Sequence, residues 1–138
     1  MATVPAVIGR HRPGVVAVIA VGRAVGALAR YGVANLVSVA PDSFPWATLV
    51  INLTGSIALG AVVGAVLPRF ASNPYLKPLL ATGFLGAYTT FSTFSTEIVL
   101  RVKDGHPGLA AVYALASLAG GISAATVGLT LGRRTLPT

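Results

Sequence analysis

Between Gly83 and Glu97 the chain reads GFLGAYTTFSTFSTE, with hydroxyls at Thr89, Thr90, Ser92, Thr93, Ser95 and Thr96, rings at Phe91 and Phe94, and one carboxylate. Elsewhere polar side chains recur at helical spacing: Thr48, Asn52 and Ser56 at i, i+4 and i+8, and Tyr113 with Ser117 at i and i+4. With an advance of about 100° per residue, each of those sets shares one helix face. On a continuous helix, Phe91, Phe94 and Ser95 would lie on one side, and Thr89, Ser92, Thr93 and Thr96 would form a hydroxyl stripe on the other. Hydroxyls, an amide and a phenol without fixed positive charge suit a small anion that must enter and leave, and ring edges add a weak contact of the same sign. Carrying an anion into an apolar site with no partners would cost on the order of tens of kcal/mol. Each hydrogen bond to the ion returns roughly 1.5–3 kcal/mol. Several donors in sequence are therefore needed, as a track of sites that the ion can leave.

Other chemistry is poorly supplied. Glu97 is the only acid deep in an apolar run, no histidine lies in one, and there is no cysteine. Carboxylate pairs, histidine proton relays and thiolate metal sites are thus excluded, and no enzyme is expected. A phosphate-binding glycine loop with its lysine is missing too, so transport would be passive. Single Ser, Thr or Asn residues in membrane helices commonly bond back to the backbone or clamp two helices. The run from Gly83 through Gly86 to Thr93 is nevertheless poor helix material, because glycine and clustered hydroxyls compete with the i to i−4 ladder. Irregular backbone at membrane depth persists only where protein buries it or where it lines a polar cavity. A break there would free carbonyl oxygens near Gly86 to Thr89, suited to a hard cation such as sodium or to bound water.

The elements that must hold these residues are spans. The chain has 138 residues, 54% hydrophobic and 9% charged, with a mean hydropathy of +0.81. That composition is too apolar for a soluble domain and describes an all-α integral membrane protein. Four stretches, 15–36, 46–67, 79–100 and 108–131, are each long enough to cross a bilayer. They form a domain over 15–131, between a basic extension (1–14) and a tail (132–138). Proline, charge and turn residues separate the stretches, and Trp46 suits an interfacial anchor. The net charge of +7 flanks the apolar runs instead of clustering on a soluble face, which argues against a nucleic-acid partner. Arg10, Arg12, Arg69, Lys77, Arg133 and Arg134 fall on one side, against Arg101, Lys103 and the far-end Arg30. The positive-inside rule then puts both termini in the cytoplasm. Arg23 and Arg30 suit the mouths of a pathway, or Arg30 snorkels to the interface.

The segments GFLGAYTTFSTFSTE, WATLVINLTGS (Trp46 to Ser56) and GRAVGALARYG (Gly22 to Gly32) resemble the CrcB/Fluc family of small fluoride channels over essentially the whole apolar region. The resemblance implies an antiparallel, dual-topology dimer in the cell membrane (the inner or plasma membrane) with two fluoride pores, the third helix broken at mid-membrane. It implies a structural sodium ion held by the carbonyls of Gly86 and Thr89. It implies a fluoride path through Asn52, Thr48, Phe91, Phe94, Ser92, Thr93, Tyr113 and Ser117, with Arg30 and Glu97 as vestibule or structural residues. Its biological role would be relief from fluoride toxicity by letting the ion leave the cytoplasm. Gly121 stands where relatives often carry the next hydroxyl of the fourth-helix track. The Lys/Arg bias also leaves open a paired homologue of opposite orientation in place of an identical second subunit. Two other readings compete. A proton-coupled multidrug exporter would need a carboxylate in the first helix, where Arg23 and Arg30 stand instead. A non-transporting assembly subunit would gain nothing from a broken third helix.

Overall fold

The computed structural model describes residues 13–37 and 43–135, so the extension that carries Arg10 and Arg12, Pro41 and Asp42 of the first connection, and the end of the tail lie outside the described residues. Every regular element among the described residues is a helix: α1 (Pro13–Leu36), α2 (Trp46–Arg69), α3 (78–88, with π geometry over Pro78–Leu85), α4 (Phe91–Lys103) and α5 (Pro107–Arg134). Helices α1, α2 and α5, of 24, 24 and 28 residues, are each long and apolar enough to cross a membrane. Helices α3 and α4 share the apolar stretch 79–100 as two pieces. Large apolar side chains such as Leu28, Leu115 and Ile122 stand exposed on the outside of the bundle. Such an exterior is stable facing lipid and not water, and the chain is a multi-pass membrane protein.

Helix ends follow local chemistry. Pro107 opens α5 at the first position, where a missing N–H loses nothing. Pro68 cannot give Gly64 the N–H that an α-helix would supply, and the turn Val62–Val66 just before it widens to π geometry. Helix α4 stops at Gly105, whose φ of +83° lets His106 N–H reach Arg101 O at 2.8 Å and Gly105 N–H reach Val102 O at 3.2 Å. That pair of bonds is a Schellman ending.

Packing sorts the helices into a pair and a trio joined at the break. Helix α1 lies on α3, and α2 and α4 lie on α5. Backbones touch in both groups: a Cβ on Gly22 would sit 2.5 Å from Leu79 O, and one on Gly64 would sit 2.6 Å from Leu129 O. Without a hydrophobic force between helices in lipid, such close contact through small residues is what holds them. The interruption between α3 and α4 thus carries the chain from the α1 side of the bundle to the α5 side.

Candidate functional site

The break consists of two extended residues, Thr89 (φ −75°, ψ 158°) and Thr90 (φ −145°, ψ 117°). Asn52, reaching across from α2, binds Thr90 twice: its Nδ2 donates to Thr90 O at 3.1 Å, and Thr90 N–H donates to its Oδ1 at 2.9 Å. A primary amide is the one neutral side chain that both donates to and accepts from a peptide group in this way. Thr90 also caps α4, its Oγ1 accepting from Thr93 N–H at 3.1 Å. Two carbonyls lose their helical donors as a result. Thr90 N–H, the i+4 donor for Gly86 O, goes to Asn52, and Thr93 N–H, the donor for Thr89 O, goes to the cap.

The expected stripe of Thr89, Ser92, Thr93 and Thr96 does not form, because it presumed one continuous helix. Thr89 belongs to the end of α3, where its N–H and hydroxyl both bond Leu85 O, at 3.0 and 2.9 Å. Ser92 and Thr93 turn to the cap: Thr90 Oγ1 lies 3.3 Å from Ser92 Oγ and donates to Thr93 Oγ1 at 2.9 Å. Thr96 stays exposed on α4.

The remaining candidates separate into three groups. Asn52, Phe91, Phe94 and Ser117 line one cavity of about 120 Å³, together with Ser56, Leu118 and Gly121. Every polar group in that wall is neutral. The Phe91 and Phe94 rings are 5.8 Å apart, Phe94 buried and Phe91 77% exposed in the single chain. Second, Glu97 accepts from Thr48 Oγ1 at 2.8 Å and from Tyr113 OH at 2.7 Å. Tyr113 is fully buried, its ring 5.3 Å from that of Phe94. Third, Arg30 lines a pocket of about 310 Å³ with Tyr31, Thr48, Thr90 and Thr93, while Arg23 is exposed on α1. Thr93 therefore shares a pocket with Arg30 and not with the phenylalanines.

Tyr113→Phe tests the second group. It removes one of the two donors to Glu97 at a part-buried site, so a loss of roughly 1–3 kcal/mol is expected, as for hydrogen bonds to charged groups. Thermal unfolding in detergent should show a lower Tm for Tyr113→Phe and no change for Tyr31→Phe, at an exposed position. Equal Tm values for both would contradict the buried bond.

Thr90 is the residue that spacing alone did not single out: the clamp depends on where the helix stops. A cap signal was present, since Thr90 precedes α4 and stands three residues before Thr93. Cation ligation by side chains is not supplied, because no group of three or more His, Cys, Asp or Glu gathers among the described residues. The oxygens on offer are the carbonyls of Gly86 and Thr89, an oxygen set of the kind hard cations take.

A bundle of lipid-facing helices around an interrupted helix, with a small cavity of neutral donors beside the interruption, defines a membrane protein built to pass a small ion. The family model described as CrcB-like protein, Camphor Resistance (CrcB), matches residues 17–129. A protein of Agrobacterium fabrum named Fluoride-specific ion channel FluC is 42% identical over 120 residues, covering 86% of this chain and 95% of the relative. One of Mycolicibacterium paratuberculosis, named Fluoride-specific ion channel FluC 1, is 40% identical over 113 residues, covering 82% and 86%. One of Beijerinckia indica, named Fluoride-specific ion channel FluC, is 45% identical over 118 residues, covering 81% and 91%. The chain belongs to the CrcB/Fluc family.

Proposed function

We propose that this chain forms a fluoride-selective passive channel, not an enzyme, which lets fluoride leave the cytoplasm through the cell membrane. The observation that carries the reading is the cavity beside the break, where Asn52 and Ser117 offer neutral donors and Phe91 and Phe94 offer ring edges. Family membership and the names of the relatives point to the same ion. The assembly proposed is an antiparallel dimer, of two identical chains or of this chain with a paired homologue. A sodium ion on its axis would be held by the carbonyls of Gly86 and Thr89. These oxygens fit the role, since the break removes their helical donors. One chain supplies only two such oxygens, fewer than a hard cation takes, and a second copy doubles the set. The ion would fix the two broken helices against each other.

The test is efflux from liposomes that hold the purified chain and potassium fluoride, with valinomycin carrying the counter-charge and a fluoride electrode reading release. Fluoride release without chloride release is expected. Chloride release at a similar rate would overturn the selectivity. Silence from a monodisperse chain that co-expression with a homologue does not relieve would overturn the channel.

A further inference from the structure

Two hydroxyls of the 120 Å³ cavity are not used by the protein. Ser117 Oγ is buried without a hydrogen-bond partner, and Ser56 Oγ likewise has no partner among the described residues. Other hydroxyls in these helices bond back to the carbonyl four residues earlier: Thr54 to Val50 at 2.7 Å, Ser95 to Phe91 at 2.9 Å and Thr126 to Ile122 at 2.9 Å. That bond is the default where nothing better is near, so two hydroxyls left without it, on residues that line one cavity, are available to something that enters it. They stand on opposite walls, Ser56 on α2 and Ser117 on α5. Next to Ser117, one turn on, Gly121 leaves the wall of α5 bare. A Cβ built there would have one neighbour within 4 Å, Ser56 Oγ at 3.8 Å.

We propose that Ser56 is a fluoride-coordinating residue, its hydroxyl supplying from α2 the donor that α5 lacks at Gly121. The inference rests on the fluoride reading above. Ser56 and Ser117 each give one O–H. Asn52 uses a single amide hydrogen on Thr90 O and keeps the other, so three residues that line the cavity each have a neutral donor to spare. No carboxylate or cation lines it. With a water occupying about 30 Å³ of liquid volume, the space takes the ion with a few waters at most.

The experiment compares wild type, Ser56→Ala, Ser56→Cys, and Ser56→Ala combined with Gly121→Ser, in the fluoride-efflux assay with size exclusion as the check on assembly. Ser56→Ala should slow efflux about tenfold, the worth of one hydrogen bond to an ion. Ser56→Cys, close in shape with a weaker donor, should fall between and serves if the alanine variant fails to assemble. Gly121→Ser fits at ordinary contact distance and should restore the rate of Ser56→Ala by returning a hydroxyl from the other wall. Wild-type rates in monodisperse Ser56→Ala or Ser56→Cys would overturn the proposal. A loss that Gly121→Ser leaves unrescued would also overturn it, by making Ser56 a packing residue. A wild-type chain that passes no fluoride is a different result, and sinks the channel reading itself.

Discussion

Asn52→Asp is expected to stop fluoride efflux almost completely while the protein still assembles. Aspartate keeps the acceptor for Thr90 N–H but loses the donor to Thr90 O, which are the two halves of the clamp. It also sets a negative charge on the wall of the cavity that the ion must enter. At 4 Å and an effective dielectric of 20, two like charges repel by about 4 kcal/mol, which corresponds to roughly a thousandfold loss in occupancy. Stability falls by less, because only one polar group is left unpaired, at about 1–3 kcal/mol. Asn52→Leu reverses the balance. It adds no charge but strands both Thr90 N–H and Thr90 O at membrane depth, so its penalty, roughly 2–6 kcal/mol for two such groups, appears first in Tm. Measuring efflux and thermal unfolding on both variants separates the roles. Asn52→Asp conducting within tenfold of wild type would remove Asn52 from the ion's path, whatever its effect on Tm.

The spacing of Thr48, Asn52 and Ser56 shows that the three share a face, and apolar length shows where the spans run. Neither shows which partner each polar group meets. In the structure the three diverge: Thr48 donates to Glu97, Asn52 holds Thr90, and Ser56 faces Gly121. A helix face is a local property, fixed by the 3.6-residue turn, whereas the partners of Thr48 and Asn52 lie 49 and 38 residues away in the chain. The stripe on the third span fails for the same reason. Glycines and clustered hydroxyls announce that the helix is weak, but they do not say at which residue it opens. Thr90 is the answer, because its hydroxyl caps α4 and its peptide group fits the amide of Asn52. Packing by small residues was legible in part. Gly22 with Gly26, Gly60 with Gly64, and Ser117 with Gly121 stand out as four-residue repeats; the two glycine pairs do meet backbone of another helix, whereas a Cβ at Gly121 would meet only the Ser56 side chain. Their partners, α3 for the first pair and α5 for the second, depend on how the chain turns at the break.

Gly128→Ala is expected to destabilise the bundle more than any other glycine-to-alanine change on α5. A Cβ at Gly128 would lie 2.9 Å from the carbonyl carbon of Ile57 and 3.0 Å from Ala61 N. These are backbone atoms of α2, so no rotamer change relieves the overlap and the helices must part. Overpacking of this kind typically costs about 1–3 kcal/mol, and in lipid no gain in helix–helix hydrophobic burial offsets it. Separation also bears on the site, since α2 and α5 are the walls that carry Ser56 and Ser117. Donors on the two walls lie within reach of one small ion only while these backbones touch. Hydrogen-bond donor–acceptor distances run only from about 2.5 to 3.2 Å, so parting the helices by even about 1 Å turns two direct contacts into one. Efflux should therefore fall about tenfold or more in whatever fraction of Gly128→Ala remains assembled, by the loss of one contact to the ion. Gly108, at the first turn of α5 with nothing within 4 Å of its would-be Cβ, is the matched control, and Gly108→Ala should leave Tm and efflux near wild type. Equal behaviour of the two variants would show that α2 and α5 do not approach as described, and would take with it the cavity those helices enclose.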